Sequence, residues 1–127
     1  MSSSPQRILG VDPSLRSTGY AVIEESGDPA QPFRQVVFGT IENHRNLAPS
    51  ECLAAIHEKL ADVIRQHQPT EAAFEAIIYA QNVKTAIVMG HARGAALLAC
   101  AQSGLRIWEY SPKKVKVGVS GAGGAAK

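Results

Sequence analysis

The sequence has little cysteine and no cysteine or histidine motif. Its two cysteines, Cys52 and Cys100, have neither CxxC spacing nor a histidine pattern around them. This excludes a zinc finger, a CxxC redox centre and a disulfide-rich secreted framework. Both cysteines fall in segments with helical spacing, where we predict buried free thiols in a reducing, cytoplasmic compartment.

Long apolar runs are also missing. The N-terminus, Met1 to Gln6, is polar and serine-rich, so it does not resemble a signal peptide, and we expect it to be disordered or tag-like. No stretch is long and apolar enough to span a membrane. We therefore expect no membrane partner.

An extreme of charge is absent too, because the net charge is +2 and the pI is near 8.7. A nucleic-acid partner is compatible with this balance, but an ordinary protein surface explains it equally well. With 127 residues, 45% of them hydrophobic, and no internal repeat, the chain is expected to form one globular domain over residues 1–127.

The order of apolar patterns predicts an α/β fold. Three strands forming an antiparallel meander with the first strand central, followed by βα units, make a mixed sheet. Ser26 to Pro32 is predicted as a loop, and 118–127 as a flexible Gly-rich loop. The predicted elements are strands Arg7–Val11, Thr18–Glu24 and Gln35–Glu42, a helix capped by Ser50 and ending before Pro69, strand Ala72–Ile77, helix Val83–Gln102 stopped by Gly104, strand Leu105–Tyr110, and a short basic helix Lys113–Val117.

Asp12 follows the first strand and precedes Pro13, which halts regular strand pairing. Carboxylates at strand ends in such sheets lie at the crevice where ligands bind. The alternative is an Asx cap, in which the Asp12 side chain accepts a hydrogen bond from the turn. The sequence alone leaves both roles open.

Glu75 is the acidic residue in the apolar run from Ala72 to Ile78. A buried carboxylate is costly unless it is paired or bound to a cation, although strand alternation could instead expose Glu75 opposite Phe74. If neighbouring strands bring Asp12 and Glu75 together, a divalent cation relieves their repulsion. Oxygen ligands without nearby His or Cys favour Mg²⁺, with Mn²⁺ as the second choice.

Four blocks of the sequence resemble the RuvC-type Holliday-junction resolvases, and they occur in the family's order over nearly the whole chain. Any one block is weak, but the four together are specific. They are Ile8–Ile23 (ILGVDPSLRSTGYAVI), Phe74–Asn82 (FEAIIYAQN), Gly90–Ala95 (GHARGA), and Glu109–Lys116 (EYSPKKVK) followed by Gly121–Lys127 (GAGGAAK).

The resemblance implies a ribonuclease H-like fold, a five-stranded mixed sheet with helices on both faces. It implies a homodimer that cuts four-way DNA junctions in recombination and repair, alongside a branch-migration helicase complex. It also implies a site in which four carboxylates hold two metal ions. Asp12 and Glu75 match the first two carboxylates, but no Asp follows Asp62, so the last two have no counterpart. We therefore expect a C-terminally incomplete domain that is inactive by itself.

The matched blocks also suggest DNA contacts, each with an ordinary structural alternative. Tyr79 could stack on an unpaired base or pack at a strand-to-helix junction, and Arg93 could reach a phosphate or pair with a carboxylate. The lysines could form only a solvated basic face. Gly90 and Gly94 could let the second helix approach a partner subunit or pack within one subunit. The predicted DNA contacts are Tyr79, Asn82, Arg93, Lys113, Lys114, Lys116 and Lys127.

Two other functions stay open. An actin-like or sugar-kinase-like ATPase also places an Asp in its first hairpin, but its phosphate loop prefers glycine where this chain has Pro13 and Ser14. A resolvase relative that binds junctions without cutting them would fit the missing acidic residues.

Overall fold

The computed structural model describes residues 5–76 and 82–110. Within these ranges the strands and helices follow the order that the sequence pattern predicts. The elements are β1 (Arg7–Asp12), β2 (Ser17–Asp28), β3 (Gln31–Glu42), α1 (Pro49–His67), β4 (Glu71–Glu75), α2 (Val83–Gln102) and β5 (Arg106–Tyr110).

The strands form one mixed sheet in the order β3-β2-β1-β4-β5. β1 pairs antiparallel with β2 and parallel with β4. β3 continues the antiparallel half beyond β2, and β5 continues the parallel half beyond β4. The predicted meander and the central position of the first strand are therefore confirmed.

A single core joins one face of the sheet to both described helices. Leu9 and Phe74 on the strands and Ile56 and Leu60 on α1 are fully buried in it, together with Ala96 of α2. We call this side of the sheet the helix face. Both described helices pack on the helix face. The predicted helix Lys113–Val117 lies outside the described residues.

The segment Ser26–Pro32, predicted as a loop, is instead a tight hairpin. β2 continues to Asp28 and β3 begins at Gln31, so only two residues connect the strands. Gly27 adopts a left-handed φ of 81°, where the register between β2 and β3 shifts. Pro32 is tolerated because β3 is an edge strand, in which a missing backbone donor need not break a ladder bond.

Helix α1 begins earlier than the sequence suggests. Its N-cap is Ala48 and Pro49 is the first helical residue, so the prediction of Ser50 as the N-cap is wrong. The Ala48 amide donates to Glu51 Oε1 at 2.8 Å, and a proline at the first position needs no donor. The acceptor therefore comes from the third residue of the helix rather than from a capping serine.

Helix α2 has the predicted bounds, Val83 to Gln102. Asn82 caps it by accepting a 2.8 Å hydrogen bond from the Thr85 amide, and Gly104 follows its end with a φ of 76°. Both cysteines are free and buried, as predicted, Cys52 in α1 and Cys100 in α2. No helix in the described residues is long and apolar enough to cross a membrane.

Candidate active site

Asp12 and Glu75 lie at equivalent positions on adjacent parallel strands. β1 and β4 pair in register from Ile8 with Glu71 to Val11 with Phe74. Asp12 and Glu75 are the next residues, and each is the last residue of its strand. Because neighbouring strands are about 4.8 Å apart, the two Cα atoms are close neighbours at the carboxyl ends of the central strands.

Both carboxylates project from the face of the sheet opposite the helix face. Val11 and Phe74, the preceding residues, are buried in the core, and strand alternation turns the next side chain to the other side. Asp12 and Glu75 are accordingly exposed. Glu75 is thus on the solvent side of β4, which was the alternative left open by the sequence, and there it lies beside a second carboxylate.

The turn that follows Asp12 is closed by Thr18. Thr18 Oγ1 accepts from the Ser14 amide at 3.0 Å and donates to the Ser14 carbonyl at 2.6 Å, and its side chain is fully buried. The hydrogen bonds of this turn therefore come from Thr18 rather than from an Asx interaction of Asp12. That arrangement favours the ligand role for Asp12 over the role of a turn cap.

Two further side chains hold the same turn against the start of α1. Asn43 Nδ2 donates to the carbonyls of Leu15 and Cys52 at 2.9 and 3.3 Å. Arg16 donates to the carbonyls of His44 and Leu47 at 2.9 and 3.1 Å. The backbone on the C-terminal side of Asp12 is consequently fixed from several directions.

No sequence pattern indicates the role of Asn43, because its two acceptors, the carbonyls of Leu15 and Cys52, lie in different segments and follow no short motif. Thr18 and Arg16 belong to the first block of the family resemblance, but their spacing alone suggests only a turn. These contacts became visible only when β3 and α1 were placed beside the turn.

Arg93, on α2, contacts the end of β4 from the helix face. It is 9% exposed, and its Nη1 donates to the Glu75 carbonyl at 2.6 Å. Its Nη2 forms an ion pair with Glu109 on β5, and the guanidinium lies 5.5 Å from the centre of the Phe74 ring. Of the two roles considered for Arg93, the structure shows pairing with a carboxylate.

The other predicted contact residues are only partly visible. Asn82 caps α2 with its oxygen, and its amide nitrogen is not used in that cap. The remaining predicted contacts lie outside the described residues: Tyr79, Lys113, Lys114, Lys116 and Lys127.

The donor chemistry at the strand ends fits a hard divalent cation. Asp12 and Glu75 offer carboxylate oxygens, the preferred ligands of Mg²⁺ and Mn²⁺. Within residues 5–76 and 82–110, however, no group of three or more His, Cys, Asp or Glu side chains could hold a metal ion. The two carboxylates therefore do not form a full coordination shell by themselves.

Glu42 is the last residue of β3, at the same end of the sheet as Asp12 and Glu75, but its carboxylate already accepts a hydrogen bond. Its carboxylate accepts a 2.7 Å hydrogen bond from Ser17, and hydrogen bonds from Ser17 and Thr40 lower the pKa of Glu42. Because β2 separates it from β1, it does not extend the pair formed by Asp12 and Glu75.

The chain is similar to known proteins over nearly its whole length. The family model described as crossover junction endodeoxyribonuclease RuvC covers residues 8–127. Relatives with that name include those from Akkermansia muciniphila, 48% identical over 95% of this chain and 71% of theirs, and Halorhodospira halophila, 43% identical over 95% and 70%.

Solved structures agree with the sequence matches. Thermus thermophilus RuvC in complex with a Holliday junction substrate is similar at a TM-score of 0.86 and 25% identity, over 96% of this chain and 73% of that one. A yeast mitochondrial Holliday junction resolvase shares the fold, with a TM-score of 0.61 and 13% identity over 94% and 57%.

These matches confirm the ribonuclease H-like fold and support Holliday-junction resolution, and they favour neither the ATPase nor the non-cutting alternative. The two carboxylates at the strand ends and the similarity over nearly the whole chain are both consistent with this family. The chain belongs to the RuvC family of crossover junction endodeoxyribonucleases.

Proposed function

We propose that this protein is the subunit of a homodimeric endonuclease that binds four-way DNA junctions and hydrolyses phosphodiester bonds with Mg²⁺. The observation that carries the proposal is that Asp12 and Glu75 end the paired parallel strands β1 and β4, each directly after the last residue in register. Mn²⁺ is the alternative ion, and two ions are expected in the complete site.

The two carboxylates act as ligands in this proposal. Asp12, at the end of the central strand β1, would hold both ions, and Glu75, at the end of β4, would hold one of them. The metal supplies charge neutralisation for the scissile phosphate and activation of the attacking water. The rigid turn closed by Thr18 keeps Asp12 in place, because reaction rates fall steeply when a catalytic group is displaced by even about 1 Å.

The cleavage test compares wild type with Asp12→Asn and Glu75→Gln, expressed from the complete reading frame. Each change keeps the side chain's size but removes its charge, so cutting of a four-way junction with Mg²⁺ should fall at least about a hundredfold. Asp28→Asn, an exposed acid in the β2–β3 hairpin, is the matched control and should cut normally. Undiminished cutting by Asp12→Asn would refute the assigned role.

The 127-residue chain supplies two of the four expected carboxylates, since its sequence has no Asp after Asp62. Two carboxylates leave most of an octahedral oxygen shell to water, so we propose that this chain by itself is inactive or nearly so. Efficient Mg²⁺-dependent cutting by the isolated chain, abolished by Asp12→Asn, would contradict this part of the proposal.

DNA binding is proposed through basic and polar residues of the blocks that resemble the family. Lysines that contact phosphates release counterions, so binding should weaken steeply as salt rises. Each lysine replaced by glutamine should reduce the slope of log Kd against log salt by about 1. Lys59, an exposed residue of α1, is the control and should leave the slope unchanged. The proposed contacts are Tyr79, Asn82, Lys113, Lys114, Lys116 and Lys127.

The homodimer is proposed to form through α2. Ile87 and Leu98 are exposed on this helix, and a groove of about 450 Å³ between α1 and α2 is lined by Gly90, Gly94 and Leu98 among others. A Cβ added at Gly90 or Gly94 would meet no atom of residues 5–76 or 82–110 within 4 Å, apart from the helix's own backbone. Packing among the described residues therefore does not require these glycines, although each costs a helix about 1 kcal/mol relative to alanine.

Close approach of a second copy of the chain would explain why glycine is present at positions 90 and 94. Ile87→Glu is expected to convert the dimer to a monomer in analytical ultracentrifugation, because it places a charge in an apolar interface. Phe33→Glu, at an equally exposed apolar residue in the hairpin, should leave the dimer intact. A dimer that persists in Ile87→Glu would exclude this face. A cytoplasmic location and a branch-migration helicase partner complete the proposal, supported by family membership.

A further inference from the structure

We propose that Arg93 is a positioning residue for the metal site, which holds the end of β4 so that Glu75 stays beside Asp12. The inference rests on the proposed role of Glu75 as a metal ligand. It replaces the DNA contact that the sequence suggested for Arg93 with an internal role.

Arg93 fixes the last peptide of β4 from the helix face. Its Nη1 donates to the Glu75 carbonyl at 2.6 Å, and the next amide, that of Ala76, donates to the Tyr110 carbonyl, also at 2.6 Å. The peptide after Glu75 is thereby held at both its oxygen and its nitrogen. Since these bonds fix the backbone at Glu75, they also fix the direction in which its side chain leaves the sheet.

The guanidinium is itself held in one orientation. Its Nη2 pairs with Glu109, which lies in register with Phe74 across β4 and β5, and its central carbon lies over the Phe74 ring, 5.5 Å from the ring centre. A planar guanidinium has its donors in a fixed fork, so one Arg can join the ends of two strands. The result is a rigid support beneath the candidate ligand, comparable to the outer partners that orient ligands at metal sites.

The same contacts argue against a phosphate contact. Arg93 is 9% exposed, whereas a side chain that binds a phosphate must present its donors at the surface. Turning it outward would leave Glu109 without its partner and the Glu75 carbonyl without its donor. The two roles therefore exclude each other in this geometry, and they make opposite predictions.

The experiment uses protein from the complete reading frame and three readouts. Mn²⁺ affinity is measured by electron paramagnetic resonance, Mg²⁺ dependence by junction cleavage, and junction affinity in EDTA over a range of salt. Arg93→Gln is expected to weaken Mn²⁺ binding and raise the Mg²⁺ requirement by about 10-fold, within the range typical of outer-shell partners. The salt slope should equal that of wild type. Arg93→Lys, which keeps one donor, should recover part of the Mn²⁺ affinity.

Glu109→Gln gives a second variant that does not remove a buried group, because the Glu109 side chain is 56% exposed. Positioning predicts weaker Mn²⁺ binding here too, by about 2- to 3-fold, with the salt slope unchanged. A phosphate contact predicts the reverse, tighter junction binding with unchanged Mn²⁺ affinity, because the arginine is released and a negative charge is lost. Arg65→Gln, at an exposed arginine of α1, is the control and should change neither quantity.

The outcomes separate this inference from the proposed function. If Arg93→Gln or Glu109→Gln binds Mn²⁺ like wild type, or if Arg93→Gln lowers the salt slope by about 1, the positioning role is overturned. If Asp12→Asn binds Mn²⁺ and cuts like wild type, the proposed metal site itself fails, whatever the Arg93 variants do.

Discussion

Asp12 should reduce stability in the absence of metal and increase it in its presence. Asp12 and Glu75 are exposed neighbours on adjacent strands about 5 Å apart. If the two carboxylate charges are separated by this strand spacing, they repel by about 0.8 kcal/mol in water and by about 3 kcal/mol at an effective dielectric constant of 20. Because both side chains are exposed, the lower figure applies. Asp12→Ala should therefore raise the free energy of unfolding by about 0.5–1 kcal/mol in EDTA.

Mg²⁺ should reverse this order. A ligand that binds only the folded state at ten times its dissociation constant adds about 1.4 kcal/mol, so wild type gains stability while Asp12→Ala gains little. Urea denaturation at constant ionic strength, with EDTA or with Mg²⁺, measures both effects. Asp28→Ala is the matched control, since Asp28 Oδ1 accepts from the Ala30 amide at 2.9 Å. It should lose about 1 kcal/mol with or without Mg²⁺.

The refuting result is clear. If Asp12→Ala is less stable than wild type in EDTA by about 1 kcal/mol, as a lost turn cap would be, and Mg²⁺ leaves wild type unchanged, then Asp12 caps its turn and binds no metal. The Thr18 bonds that close the turn predict the opposite.

The remaining predictions concern stability and reactivity. Phe74→Ala should destabilise the fold by about 3–5 kcal/mol in urea titrations, because it empties a fully buried site in the core; a loss below about 1 kcal/mol would contradict that packing. Asn43→Ala should cost about 1–3 kcal/mol, because it removes the donor to two carbonyls. Glu24 accepts from Arg7 and Arg34, and these bonds lower the pKa of Glu24 below its usual 4.5. Its contribution is therefore present at neutral pH and lost as the pH falls from about 4.5 through the lowered pKa, so Glu24→Gln should lower the urea midpoint at pH 7 and have little effect at acid pH. Burial raises the pKa of Cys100 to about 11, so at pH 8 about a thousandth of it is thiolate, and folded protein should react with a thiol reagent at Cys100 only as fast as it opens.

The sequence predicts an element well where a residue next to its end terminates it. The C-terminal end of helix α2 could be predicted from the sequence because Gly104 follows it. The hairpin after β2 could not, because Gly27 and Pro32 usually indicate a loop. Only the pairing of β2 with the edge strand β3 shows that a left-handed glycine and an edge proline fit two continuous strands.

The sequence by itself determined the fold class, the family blocks and the choice of Asp12 and Glu75 as candidate ligands. These features depend on strand patterns and residue types within short segments of the chain. Only the tertiary structure decided that Asp12 and Glu75 directly follow the paired residues Val11 and Phe74, on the face opposite the helices. It also decided that Arg93 is directed inward to the Glu75 carbonyl. Both results depend on which residues from distant segments meet, and a side chain's partner across strands and helices is set by packing rather than by its neighbours in the chain.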